Sequence, residues 1–229
     1  SGDPFSFIVF HKVVAEIRAK QGLPAAARQS LQAARSLLNG WPNVWLQGRL
    51  AVTGMGIEMT QSDYGSALSY AQEAMQCAEK SGSRDVSVPA LGNLAHLRLV
   101  QGQLSEAQDA IKKVQGLMRV GGHTEIGSRD TEMEIALAAG DLERAKILAE
   151  EISMISAKRE GGRSYHGLWN TLTQVRLSFR LGQSQAGLEM AREALPYAEY
   201  TNRNLFERMQ LLVAEGLGRT GQPQRGAAV

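Results

Sequence analysis

A glycine followed five residues later by a small side chain recurs along this chain at an interval of about forty residues. The turn positions are Gly22, Ser62, Gly102, Gly140, Gly182 and Gly221, separated by 40, 40, 38, 42 and 39 residues. The matching small positions are Ala27, Ala67, Ala107, Ala145, Gly187 and Gly226. One offset kept through six segments defines an internal repeat, and a repeat of this length limits the fold to stacked supersecondary units.

The unit can be read physically. Glycine suits the left-handed backbone position where a helix stops, because it has no Cβ to clash there. Pro24, Ser105 or Ser184 can then open the following helix. The small residue lies on that second helix, where a large side chain would hold two backbones apart. Between the turns the apolar spacing is helical: Leu91, Leu94, Ala95 and Leu99 share one face, as do Ala107, Ile111, Val114 and Met118. No segment alternates as a strand would. Asp3 and Pro4 supply an N-cap and a first helical residue near the start. Polar joints at EKSGSRD, RVGGHTE, KREGGRS and YTNRN separate one hairpin from the next. The fold class is all-α, an α-α superhelix of helical hairpins with about eleven helices and the start of a twelfth. It forms a single repeat domain with units at roughly 3–40, 41–82, 83–121, 122–161, 162–202 and an incomplete 203–229. A lone hairpin cannot bury its apolar face, but stacked hairpins can.

The third unit, ALGNLAHLRLVQGQLSEAQDAIKKV, resembles a tetratricopeptide repeat (TPR) through Leu91, Leu94, Ala95, Gly102, Ala107, Ile111 and Val114. The first unit matches through Val14, Ala15, Gly22, Ala27, Leu31 and Ala34, and the second through Ala67, Ala71 and Ala74. Units four and five depart from the pattern in their first helices, and Gly187 stands where the family has alanine. The period exceeds the usual 34 residues of the family. In that respect the chain is similar to the long sensor-type repeats of the MalT-like bacterial transcription activators. HEAT repeats share the period without this Gly-then-Ala turn. The resemblance implies a right-handed solenoid that binds its ligand along its first helices.

It also implies which residues face that ligand, at 13, 10, 6 and 3 positions before each turn glycine. In unit two these include Arg49, Val52 and Gly56. In unit three they are Pro89, Gly92, His96 and Leu99, with Asn93 alongside. In unit five they are Trp169, Leu172, Arg176 and Phe179, followed by Arg180. Arg49, Asn93, His96, Trp169, Arg176 and Arg180 are the candidate binding residues, since aromatic and guanidinium groups most often anchor interfaces. The competing reading makes Trp169 and Phe179 inter-repeat core and leaves the arginines solvated. The Lys- and Asn-rich clamp that some TPR domains use for peptide C-termini is not reproduced: Lys12 and Asn93 stand apart, and Glu16 replaces an expected Asn.

Other chemistry finds little purchase. Gly216, Gly218 and Gly221 fit the G-x-G-x-x-G dinucleotide pattern, but Gly221 is a repeat turn and only eight residues follow it. The histidines His11, His96, His123 and His166 fall in four different units. H-E-x-x-H, C-x-x-C, G-x-x-x-x-G-K-[ST] and G-x-S-x-G are all absent, so the expectation is no enzyme, no cofactor and no metal. Twenty-five basic and 23 acidic residues leave a net charge of +2, which gives no footprint for nucleic acid or an anionic membrane. No run reaches the roughly 18 apolar residues of a membrane span. The single Cys77 suits a reducing compartment and a buried small side chain. Met133, Met154 and Met190 read as core fillers, and Trp41, before Pro42, as packing a joint. The apolar opening FSFIVF and the ending GAAV read as cut ends of a longer protein. The expected partners are a protein, a peptide or a small effector, together with neighbouring domains of the parent chain. The expected role is a cytoplasmic, non-catalytic binding segment of a bacterial signalling or transcription regulator, or alternatively a general protein-interaction scaffold.

Overall fold

Every repeat-turn residue occupies left-handed backbone, with φ of 75° at Gly22, 57° at Ser62, 74° at Gly102, 77° at Gly140, 75° at Gly182 and 78° at Gly221. The hydrogen bonds around them follow one pattern. At the third turn the Gly102 N–H donates to the Leu99 carbonyl (2.9 Å) and the Gln103 N–H to the Arg98 carbonyl (2.9 Å). At the fifth, Gly182 donates to Phe179 (3.2 Å) and Gln183 to Ser178 (2.9 Å). This is the paired closure that satisfies the last carbonyls of a helix and reverses the chain. Ser62 is the one turn residue with a Cβ, and left-handed backbone costs such a residue about 1–2 kcal/mol. Ser62→Gly is therefore expected to raise stability by about 1 kcal/mol, read as a higher urea midpoint. An unchanged or lowered midpoint would refute this.

The computed structural model describes residues 3–118, 125–157 and 164–222, which form eleven α-helices and no strand. They are α1 (Pro4–Lys20), α2 (Pro24–Asn39), α3 (Val44–Thr60), α4 (Tyr64–Ser81), α5 (Arg84–Val100), α6 (Leu104–Leu117), α7 (Glu125–Ala139), α8 (Leu142–Ala157), α9 (Tyr165–Arg180), α10 (Ser184–Thr201) and α11 (Arg203–Arg219). Chain contacts divide into two compact units, Ser1–Gly122 and His123–Val229. The first unit stacks the hairpins α1–α2, α3–α4 and α5–α6, and the second stacks α7–α8 and α9–α10 with α11. The twelfth helix start, Gly226 and most of the joints at RVGGHTE and KREGGRS lie outside the described residues.

The start signals hold in part. Asp3 caps α1, accepting from the Phe5 and Ser6 N–H groups, with Pro4 behind it. Asn43, Asp63, Ser164 and Asn202 cap α3, α4, α9 and α11 in the same way. Ser105 and Ser184 do not: Gln103 and Gln183 occupy those caps without a side-chain bond, and both serines lie inside their helices. Two joints are also tighter than their polarity implies. α4 runs through Ser81, leaving two residues before α5, and Asn202 alone ends α10 and caps α11.

The small positions do what their size allows. Ala27, Ala67, Ala107 and Ala145 are fully buried. A Cβ on Gly187 would come within 2.6 Å of the Phe179 ring, so this departure from alanine makes room for a large neighbour. Each unit has its own apolar core, running through Ile8, Leu31, Leu46 and Leu50 in the first and through Leu168, Leu172, Leu188 and Met209 in the second. Met133 is fully buried and Cys77 is buried and free, but Met154 is 64% exposed. The buried stripe of α8 is Ala145, Leu148 and Ile152, and Met154 points about 200° away from Ile152. Burial pushes the Cys77 thiol pKa above its ordinary value.

Candidate functional site

The six candidate residues fall in both compact units. In the first, Arg49 meets a carbonyl that lacks its helical donor. Pro89 lies inside α5 and has no N–H to give the Asp85 carbonyl one turn earlier. The Arg49 Nη1 donates to that carbonyl at 3.3 Å, and its guanidinium sits 5.9 Å from the Trp45 ring centroid. Trp45 is in turn stacked on Phe5, with ring centroids 6.4 Å apart and planes 10° apart. Phe5 also meets Trp41 edge-on at 6.4 Å, so Trp41 does pack the joint between α2 and α3. Asn93 and His96 are half-buried on α5. Lys12 and Glu16 are 2.6 Å apart, and Glu16 also accepts from Thr53 on α3 at 2.9 Å. They tie two hairpins together and are not arranged as a clamp.

The second unit brings the candidates into a row. Tyr165, Trp169, Arg176 and Arg180 lie at helical spacing along one side of α9. Arg176 donates to Glu134 on α7 at 3.1 Å, and Arg208 on α11 lies 5.5 Å from the Trp169 ring centroid. Glu134 and Arg176 stand six residues before their turns, and Trp169 and Arg208 stand thirteen before theirs. Equivalent positions on consecutive first helices thus touch one another. Glu134 and Arg208 carry the same register as the chosen candidates, and applying the offset to units four and six finds both.

Beneath the row is a polar layer that spacing alone does not reveal. Asn170 donates to Asp130 at 3.1 Å, and Gln174 donates to the Asn170 side-chain oxygen at 2.6 Å. Asn170 and Asp130 are both buried. The pair crosses from α9 to α7 and pins one helix against the other, as buried polar groups must be bonded. Leu172 and Phe179, expected in the groove, are core instead, at 0% and 4% exposure. The Phe179 ring fills the gap over Gly187 and Gly216, with the Arg219 guanidinium 5.2 Å from its centroid. Arg180 is exposed in the last turn of α9.

Trp169 has one unmet need. Its indole N–H is buried and finds no acceptor in hydrogen-bonding geometry. The Tyr165 ring meets Trp169 edge-on at 6.4 Å. Burial pushes the Tyr165 phenol pKa up, and the neighbouring indole acts in the opposite direction. The row therefore brings together aromatic rings and three guanidinium groups, with Arg176 paired to the Glu134 carboxylate.

Among the described residues no group of three or more His, Cys, Asp or Glu side chains could hold a metal ion, and no helix is long and apolar enough to cross a membrane. Gly216 and Gly218 belong to the last turns of α11, a helix where a dinucleotide fingerprint needs a strand to precede it.

No protein-family model and no curated protein matches the sequence. Solved structures do match. BtubC (BKLC) from P. vanneervenii is similar over 90% of this chain and 85% of its own, with a TM-score of 0.62 and 16% identity. A putative kinesin light chain of Podosopora anserina with nearly identical TPR-like repeats is similar over 94% of this chain and 98% of its own, with a TM-score of 0.54 and 16% identity. A substituted form of that protein is similar over 86% of this chain and 97% of its own, with a TM-score of 0.55 and 16% identity. The fold is that of TPR-like helical-hairpin repeats.

Proposed function

We propose that this chain is a non-catalytic protein-interaction scaffold that takes a peptide segment along the α7–α9–α11 row of its second unit. The observation that carries the proposal is the Trp169 indole. Its ring is held between Arg208 and Tyr165, with Arg176 and Arg180 further along the same side of α9. Trp and Arg dominate interface energetics. The TPR-like neighbours support the same reading at the level of fold.

The regulator-type sensor, in which a small effector fills a deep aromatic pocket, is the weaker reading. A cleft of about 290 Å³ lies at the α2–α3 joint between Arg35, Leu38, Asn39, Pro42, Asn43, Val44 and Gln47. It contains no aromatic ring and none of the candidate residues. A MalT-like parent is a proposal that rests on sequence rhythm alone.

A thermal-shift comparison of peptide pools with sugars, amino acids and nucleotides tests the scaffold. A specific ligand at a hundred times its Kd adds about 2.7 kcal/mol, or about 5–10 °C at this chain length. The expected result is a shift with peptides that disappears in Trp169→Ala and in Arg176→Ala. A shift with small molecules alone would replace the scaffold by the sensor.

A further inference from the structure

We infer that Asn39 is a site of spontaneous covalent modification, where the side-chain amide is lost as ammonia and the backbone isomerises to isoaspartate. The site lies in the first unit and is independent of the α9 row. The chain has six asparagines, and Asn39 is the one that a glycine follows. The other five precede Val44, Leu94, Thr171, Arg203 and Leu205, each of which carries a Cβ. Ring closure brings the amide nitrogen of the following residue onto the side-chain carbonyl carbon. A Cβ on that residue obstructs the approach, and Gly40 has none.

The fold leaves this pair open and engages most of the other asparagines. Asn39 is exposed, and its carboxamide bonds no other described residue. It borders the cleft of about 290 Å³ at the α2–α3 joint, which gives water a path to the group. By contrast, the Asn43 and Asn202 side chains accept cap bonds from Leu46 and Leu205 at 3.0 and 2.8 Å. Asn170 is buried between Asp130 and Gln174, and Asn204 accepts from Arg208 at 2.8 Å. Asn93 is half-buried in the interior of α5. Asn39 is the last residue of α2, and helix ends fray, so the ψ rotation that ring closure requires breaks no interior turn. The attacking nitrogen donates to the Leu37 carbonyl at 3.2 Å, the long end of the N–H···O range.

The step needs only base and water. A base removes the Gly40 amide proton, and the nitrogen attacks Asn39 Cγ. The new N–Cγ bond closes a five-membered succinimide as the Cγ–Nδ2 bond breaks and ammonia leaves with a proton. Water then opens the ring. Cleavage of the N–Cγ bond gives aspartate, and cleavage at the main-chain carbonyl gives isoaspartate, in which the chain runs through Cβ and Cγ. The isoaspartate form lengthens the backbone by one carbon between the buried Leu38 and Trp41. The Trp41 N–H, which donates to the Leu38 carbonyl at 3.0 Å, is displaced, and its ring shifts against Phe5.

The test ages the full 229-residue chain in mildly alkaline buffer at physiological temperature, with and without urea. Trypsin then releases residues 36–49 for chromatography and mass spectrometry. The folded chain should yield two new forms of that peptide, each with an acid replacing the Asn39 amide, isoaspartate in excess. One ammonia should appear per conversion, and Asn43 in the same peptide should stay unchanged. Gly40→Ala should slow the conversion at least tenfold. That variant keeps the fold, because a φ of −81° suits any residue and the nearest contact of the added Cβ is 3.6 Å. A folded chain that stays unmodified while the urea-unfolded chain converts would overturn the inference, since the fold would then protect the pair. So would equal conversion in Gly40→Ala, or earlier conversion of another asparagine.

Discussion

Phe179→Ala is expected to lower the stability of the second unit by about 3–5 kcal/mol. Phe179 is 4% exposed, and its ring occupies space left by two glycines, Gly187 on α10 and Gly216 on α11. With no Cβ, neither glycine can extend into the vacated volume, so a cavity replaces the ring. The Arg219 guanidinium also loses the aromatic face it covers. Because contacts in a repeat array are local, the loss should be local too. Urea unfolding gives the magnitude, and hydrogen exchange should accelerate in α9, α10 and α11 with little change in α1 and α2. A loss below about 1 kcal/mol would show that the three helices close without the ring.

Gly48→Leu should be comparably damaging in the first unit, by the opposite mechanism. Gly48 is buried in α3, where a Cβ alone would meet Val86 Cγ1 at 2.7 Å and Cys77 Cβ at 2.9 Å. One contact is on α5 and the other on α4, so three helices converge on this residue. The valine methyl can turn aside, but the Cys77 Cβ is fixed to its backbone. A leucine must therefore force the helices apart, at a cost of about 3 kcal/mol. Gly48→Ala should cost less, since only the first carbon must be accommodated. Equal midpoints for the leucine variant and the parent would mean that α3, α4 and α5 are packed less closely than described.

The turns are legible in the sequence because their cause is local. A left-handed residue at a helix end prefers glycine whatever surrounds it, and all six positions adopt that backbone, Ser62 included. The small residue five positions later is legible because close helix approach leaves no alternative. Helix rotation is not local, and two of the expected groove positions, Leu172 and Phe179, are core instead. Leu172 and Phe179 are drawn into the core by partners on α10 and α11 that their own helix does not reveal. The Arg49 contact with the Asp85 carbonyl is likewise non-local, since it depends on a proline forty residues later that leaves this carbonyl without its helical donor. The Asp130–Asn170 pair escapes a reading by spacing for the same reason: a buried polar bond between repeats leaves no periodic mark.

A peptide-binding row centred on Trp169 is tested most directly by selecting random peptides from a phage library on the immobilised chain, with parallel selections on Trp169→Ala and Arg208→Ala. The scaffold reading predicts a convergent set of sequences on the parent chain, depleted at least tenfold on both variants, while circular dichroism shows the variants folded. Sequences enriched equally on all three proteins, or no convergent set on the parent, would contradict it.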